Sequence, residues 1–552
     1  MNPKLQGVLA SAQDLVRRPW RLAAVLLILV LFLANIYRAG TQSISHDEGV
    51  LYEWFLSGPW SQVLAVEHGN HHVISDLLCK LAIGLFGTSE LALRLPALLG
   101  GLLYFYSVFG LSMLLFGEAS LFLLSVALLC LNPFVLDYLV CARGYGPALS
   151  FFFFGLYQLT RYLAESSDPG GLNRQAWLLR KAGVALGLSI GCNPIMIFPG
   201  GALIASFLAM MFGDTLIRRP EPVPVASARE KTRASKKERR RKSRQEASAQ
   251  PGARSWQQAL LQFALPAVAV GGFFSMLPNR LIELEAGYMG PPSLLAALGG
   301  LVRYSFLHSP TGFAGLAALF PAETAVRIVT NWVVPAVLLG LAALGIGIVA
   351  TWIGKRSLDA LPAIDRFLLL LAGTLSVTIV LIVLSRHAFH QPYPELRTVM
   401  YWIPLLSLAC LGFLRRLAGG SRIERLLPVP LATALVACVL QFVTQFNTRY
   451  FAEWRYCAAT EDMLQVVRTE HARKSGTRVS VGASWQLEPV INFYRVAWGL
   501  DWMDPMVRES PDYRFDYYLL AFGDTSLVES RHLKPLLRDR LSGTVLAKRP
   551  DL

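Results

Sequence analysis

Charge is what this chain has least of. Only 16% of its 552 residues are Asp, Glu, Lys or Arg, against about 25% in soluble domains. That shortage excludes an ordinary water-soluble globule. Cysteine is also sparse. The seven cysteines (79, 130, 141, 192, 410, 438 and 457) are scattered, odd in number and contain no Cys-x-x-Cys pair. They supply neither a disulfide framework nor a thiolate zinc motif, and read as small apolar packing residues. There is no internal repeat. The C-terminal part carries no Gly-x-Gly-x-x-Gly, so it lacks the dinucleotide-binding fingerprint.

What the chain does have is apolar length. Its residues are 54% hydrophobic and its mean hydropathy is +0.44. Several runs approach the ~20 apolar residues that cross a bilayer. The pattern predicts eleven spans, at about 22–39, 92–115, 119–136, 147–163, 177–192, 195–213, 257–277, 327–352, 366–385, 398–414 and 428–445.

Charge also orients the spans. Arg17, Arg18 and Arg21 precede the first span and keep the N-terminus cytoplasmic by the positive-inside rule. Arg174, Lys355, Arg356, Arg415, Arg416, Arg422 and Arg425 then fall in connections on the same side. So does the basic loop at about 218–254. Between Arg218 and Arg244, Lys and Arg outnumber Asp and Glu by 12 to 3, accounting for +9 of the net charge of +15. It reads as a disordered cytoplasmic loop, and no nucleic-acid partner is expected.

An odd number of spans places the C-terminus outside. Residues 446–552 read differently from the rest: helix 458–474, strand 478–482, helix 487–498, strand 515–522, helix 531–541 and strand 543–548. This alternation predicts a small α/β domain on the outer face. The expected organisation is therefore a transmembrane domain, 1–445, and a soluble domain, 446–552.

The outer segments carry the chemistry. Ser45-His46-Asp47-Glu48-Gly49 follows the first span. Ser-x-x-Glu is a capping box, with Ser45 as N-cap and Glu48 at N3. Asp47 occupies the first turn, where the helix dipole stabilises a carboxylate, and points away from Glu48. It is a candidate general base for an acceptor hydroxyl. Val50 to Leu56 are apolar and aromatic and stop at Gly58-Pro59, as in an interfacial helix.

Glu67, His71 and His72, with Asp76, form a candidate metal or phosphate constellation in the same loop. Asp137 and Arg143 flank the next outer turn, as a structural pair or as site residues. The fourth outer loop, 278–326, carries Arg280, Glu283, Glu285, Tyr288, Arg303, Tyr304 and His308. The fifth carries Arg386, His387, His390 and Arg397, followed by Tyr401. Arginine and histidine at an outer interface suit a lipid phosphate.

Several motifs together resemble a known family. They are His46-Asp47-Glu48-Gly49, the stretch Glu67 to His72, and Gly87-Thr-Ser-Glu90-Leu-Ala-Leu-Arg94-Leu-Pro96. Arg143-Gly-Tyr145 and Pro394-Glu-Leu-Arg397-x3-Tyr401-x2-Pro404 complete the set. Over roughly residues 20–450 the chain resembles the GT-C membrane glycosyltransferases. The likeness is to the bacterial family-39-like relatives of protein O-mannosyltransferases and the lipid A aminoarabinose transferase. Where that family often reads His-Pro-Pro or Lys-Pro-Pro, this chain has His71-His72-Val73.

The resemblance implies an α-helical polytopic membrane fold of GT-C type, placed in the cell inner membrane. It further implies an inverting enzyme that moves a hexosyl or pentosyl group from a polyprenyl-phosphate-linked donor to an acceptor (lipid, protein or glycan). Asp47 would be the catalytic base, with Glu48 and Asp137 as further acids. A divalent cation on Glu67, His71 and His72 is the one cofactor expected. Arg143, Tyr145, Arg303, Arg386, His387, Arg397 and Tyr401 would bind the substrate. A carrier or flippase of lipid-linked glycan, and an inactive scaffold of the same fold, are the alternatives. The clustering of acids at span ends rather than at mid-membrane favours the enzyme.

Overall fold

The computed structural model describes residues 18–64, 71–165, 172–218, 256–276, 290–308, 322–418, 428–472, 478–508, 511 and 514–550. Among these, seven helices are long and apolar enough to cross a membrane: Pro19–Thr41, Glu90–Phe116, Pro194–Ile217, Trp256–Ser275, Val326–Lys355, Ala363–Phe389 and Leu396–Leu417. Tyr145–Ala164, Leu172–Cys192 and the shorter Ser120–Cys130, Leu294–Phe306 and Pro428–Gln445 complete the helical part. The chain is a multi-pass membrane protein. The basic loop, Glu67, Arg280, Glu283, Glu285 and Tyr288 lie outside the described residues.

Two expectations along the spans change. The run 119–136 is not one helix: it breaks after Cys130, and Pro133–Tyr138 starts afresh. Pro133 takes the first helical position and the Asn132 side chain accepts a hydrogen bond from Val135 N, so the break is a capped restart. The segment expected as the fourth outer loop contains a helix, Leu294–Phe306, capped by Ser293. At Asn193-Pro194 the expected interruption is present, with Asn193 as the cap.

Two charged networks mark opposite ends of the helical part. At one end Asp214 accepts from Trp352 Nε1 at 3.2 Å, Leu358 N at 2.6 Å and Arg218 Nε at 2.6 Å. Arg218 also pairs with Asp359 at 2.8 Å. Arg18 and Arg21, at the start of Pro19–Thr41, pair with Glu118 just past the end of Glu90–Phe116. The other ends of Pro19–Thr41 and Glu90–Phe116 meet at Glu48 and Asp137, described below.

The segment after the first long helix begins with Ser45 capping His46–Leu51, which continues as a π-turn over Tyr52–Leu56. Helix Val73–Phe86 follows and packs on Glu90–Phe116. Past Gln445 the chain builds a four-stranded sheet in the order β1-β2-β4-β3, from β1 (Val481–Ala483), β2 (Tyr517–Leu520), β3 (Lys534–Arg538) and β4 (Val545–Lys548). β1 and β2 are parallel, and β4 is antiparallel to both β2 and β3.

The helix expected at 531–541 is strand β3. Its basic and leucine residues imitate an amphipathic helix, but Pro535 cannot continue one and is tolerated on an edge strand. Gly543, at φ 75, then supplies the left-handed residue of the turn into β4.

Helix Glu488–Ala497 packs directly on His46–Leu51. Gly49 allows that approach, because a Cβ there would lie 2.6 Å from the Pro489 carbonyl carbon. The last residue of the His-Asp-Glu-Gly motif therefore serves the seat of the C-terminal sheet layer.

Candidate active site

Asp47 and Glu48 follow each other in one helical turn but face different surroundings. Glu48 is fully buried. Its Oε1 accepts from Arg94 Nε at 2.8 Å and Ala142 N at 2.7 Å, and its Oε2 from Arg94 Nη2 and Ser45 N, both at 2.8 Å. With Ser45 Oγ accepting from Glu48 N, the capping box is complete. Arg94 also donates to the carbonyls of Ala39, Gln42 and Ser43, closing the open end of Pro19–Thr41. Four donors thus occupy the Glu48 carboxylate, which leaves it no room to handle a substrate proton.

Asp47 keeps 12% of its side chain exposed, more than Glu48, Asp137 or Asp76. Its Oδ2 lies 3.4 Å from Arg143 Nη2 and 3.2 Å from Arg397 Nη2, and its Oδ1 accepts from Trp454 Nε1 at 3.3 Å. Burial alone would push this carboxyl up, but Arg143 and then Arg397 hold it below the usual range, so it is ionised at neutral pH.

Arg143 and Tyr145 belong to a turn that Gly144 makes possible. A Cβ at Gly144 would meet the Cys192 carbonyl oxygen at 2.1 Å and His72 Cβ at 2.8 Å. Arg397 lies over the Tyr145 ring, 5.9 Å from its centroid, and over the Trp454 ring at 5.5 Å. The cluster therefore joins one carboxylate to two guanidinium groups walled by aromatic faces.

Asp137 does not pair with Arg143. It is buried with Arg38 and His308, its Oδ2 lying 3.1 Å from His308 Nε2 and accepting from Ala452 N at 2.8 Å. It ties Pro19–Thr41 to the segments that precede the sheet and follow Leu294–Phe306. The other expected contacts divide. Tyr401 is buried beside Trp402. Arg303 is exposed and pairs with Glu323 at 2.6 Å. Arg386 and His387 are exposed, and the Arg386 guanidinium faces Gln391 O and the Tyr393 ring.

Among the described residues no group of three or more His, Cys, Asp and Glu is disposed to hold a metal ion. Of the three residues expected to do so, Glu67 lies outside the described set. His71 stacks on Phe55 at 4.8 Å, with Nε2 3.5 Å from Asp76 Oδ2. His72 is set edge-on to Tyr145 at 5.2 Å. Burial keeps both imidazoles neutral, and pushes the Asp76 carboxyl up to about 7.

Sequence reading missed Glu453 and Trp454. Glu453 Oε2 accepts from Arg397 Nη1 and from Tyr138 OH, each at 2.7 Å. Trp454 reaches Asp47 across 407 residues of chain. No local pattern announces either residue, because their partners belong to other outer segments.

No family model matches the sequence, and no curated protein matches it. Solved structures do. ArnT from Cupriavidus metallidurans in the apo state aligns with a TM-score of 0.47 at 12% identity, covering 96% of this chain and 98% of that one. The same protein bound to undecaprenyl phosphate aligns at 0.41 and 12%, with the same coverage. The archaeal oligosaccharyltransferase AglB from Archaeoglobus fulgidus, in complex with an inhibitory peptide and a dolichol-phosphate, aligns at 0.42 and 12%, over 96% of this chain and 74% of that one.

Proposed function

We propose that this protein is an inverting glycosyltransferase that uses a polyprenyl-phosphate-linked sugar at the outer face of the membrane, with the C-terminal domain, 446–552, on that side. The observation that carries the reading is the Asp47 carboxylate held between Arg143 and Arg397 at 3.4 and 3.2 Å. One carboxylate and two guanidiniums meet the needs of a single displacement.

Asp47 takes the proton of the acceptor hydroxyl as its oxygen attacks the anomeric carbon. The bond from that carbon to the phosphate oxygen breaks with its electron pair. Polyprenyl phosphate leaves into the charge of Arg143 and Arg397, and attack opposite the leaving group inverts the anomeric centre. Tyr145 and Trp454 hold the Arg397 plane by cation–π contact.

A lipid donor is supported by an apolar groove lined in part by Leu298, Phe306, Leu406 and Phe442. Its wall also includes Asn132, Ser305 and Trp402, each a few residues from Asp137, His308 and Arg397 respectively. An isoprenoid tail lying there would present its phosphate near the arginines.

A divalent cation does not fit beside Asp47, where two guanidiniums already supply positive charge and would repel it. No step above is routed through a metal. Arg303, Arg386 and His387 are assigned to the interface rather than to the reacting atoms, and Glu48 and Asp137 to the scaffold.

The first experiment is native mass spectrometry of the detergent-purified chain with added undecaprenyl phosphate, followed by turnover of the glycosylated lipid with Asp47→Asn. We expect lipid binding to persist in the variant and turnover to fall by a factor of about 10² or more. Failure of the wild-type chain to bind the lipid would overturn the donor. Full turnover in Asp47→Asn would overturn the base.

A further inference from the structure

Arg397 is shared by two carboxylates on different segments. Its Nη1 donates to Glu453 Oε2 at 2.7 Å, a firm charge-assisted hydrogen bond, whereas its Nη2 stands 3.2 Å from Asp47 Oδ2. The Glu453 carboxylate is itself fixed, because Tyr138 OH donates to the same oxygen at 2.7 Å and the Glu453 side chain is only 6% exposed. The residues on either side are pinned as well: Ala452 donates its backbone N–H to Asp137, and Trp454 its indole Nε1–H to Asp47. Phe451, one residue further back, packs under Arg94 and Arg38 at 5.0 and 5.5 Å. Glu453 therefore rides on a 3-10 turn, Ala452–Cys457, whose neighbouring residues are held on both sides.

We propose that Glu453 is a positioning residue: it grips one arm of Arg397 so that the other arm is the part that exchanges Asp47 for the donor phosphate. This rests on the lipid-phosphate reading above. A guanidinium is a planar fork, so fixing one nitrogen fixes the direction of the other. Without Glu453, Arg397 would turn both arms onto Asp47, its nearest remaining carboxylate. The phosphate would then have to break a two-armed pair rather than a long single contact. The anchor also explains why the segment 450–457 contributes to a site otherwise built from loops between membrane helices.

Charge alone predicts the opposite of anchoring. Removing a carboxylate near a phosphate site should tighten anion binding, whereas removing an anchor should weaken it. Undecaprenyl phosphate is the probe, titrated against the full-length protein in detergent. Glu453→Ala is expected to bind it about tenfold more weakly. Glu453→Gln, which keeps an acceptor oxygen for Arg397 and Tyr138, should bind as the wild type does or more tightly.

Glu453→Asp keeps the charge but withdraws it by one methylene, and should bind several-fold more weakly. It carries the test if the alanine variant does not fold. Alanine and aspartate variants that bind like the wild type would overturn the anchor and leave the donor reading standing. A wild-type chain that does not bind the probe would overturn both.

Discussion

Asp47 and Glu48 are adjacent, and successive helix positions point roughly 100° apart. One carboxylate therefore turns to the site while its neighbour turns into the Arg94 nest. The two should respond differently to the same chemical change. Glu48→Gln removes the charge facing a fully buried guanidinium, a loss of about 3–5 kcal/mol when a buried pair is broken. Its melting temperature in detergent should fall well below that of Asp47→Asn, whose carboxylate is partly exposed and makes longer contacts with its arginines. Equal melting temperatures for the two variants would contradict the division of labour. The capping box already tells the two apart in the sequence, and it is the family resemblance that puts Glu48 beside Asp47 in the catalytic set.

At the scale of elements, the seam between the first outer segment and helix Glu488–Ala497 is the most informative. Gly49 permits its close approach, His46 Nδ1 lies 2.7 Å from Gln486 O, and His46 meets Trp485 edge-on at 5.5 Å. The seam also holds two carboxylates, because Asn492 Nδ2 is within hydrogen-bonding distance of both Glu53 Oε1 and Glu488 Oε1, at 3.1 and 3.2 Å. Burial, and then the Glu53 charge, push Glu488 up to about 7. A carboxyl whose pKa is raised on folding favours the folded form while protonated. Its contribution is present below the unfolded value of about 4.3 and is lost as pH rises through about 7. Wild-type thermal stability should therefore fall relative to Glu488→Gln between about pH 4 and 7. Parallel pH profiles for the two proteins would mean that Glu488 does not titrate in this window.

The whole molecule has one charged network at each end of its helices, and Asp47 belongs to the end that carries the C-terminal sheet. On the proposed orientation that end faces away from the cytoplasm. Trp485 is half exposed on the seam. Trp485→Cys in intact cells should be labelled by a membrane-impermeant maleimide without permeabilisation. Labelling only after the cells are opened would reverse the orientation and place the site with the water-soluble sugar donors of the cytoplasm.

Much of this was legible in the amino-acid order because local physics decides it. Apolar length marks most of the helices, arginine placement predicts their orientation, and Ser45-x-x-Glu48 specifies a capped turn. Asn193-Pro194 marks an interruption, and Asp47 is visible as an acid outside the first span. These signals act over a few residues, the range in which hydrogen bonding and hydrophobic periodicity operate. What tertiary structure alone decided is which charges meet. It paired Asp137 with Arg38 and His308 rather than Arg143, gave Glu48 to Arg94, left Arg303 and Arg386 at the surface, and brought Glu453 and Trp454 to Arg397 and Asp47. Ion pairing depends on distance in space and on burial, and neither can be read from spacing along a chain whose partners lie hundreds of residues apart.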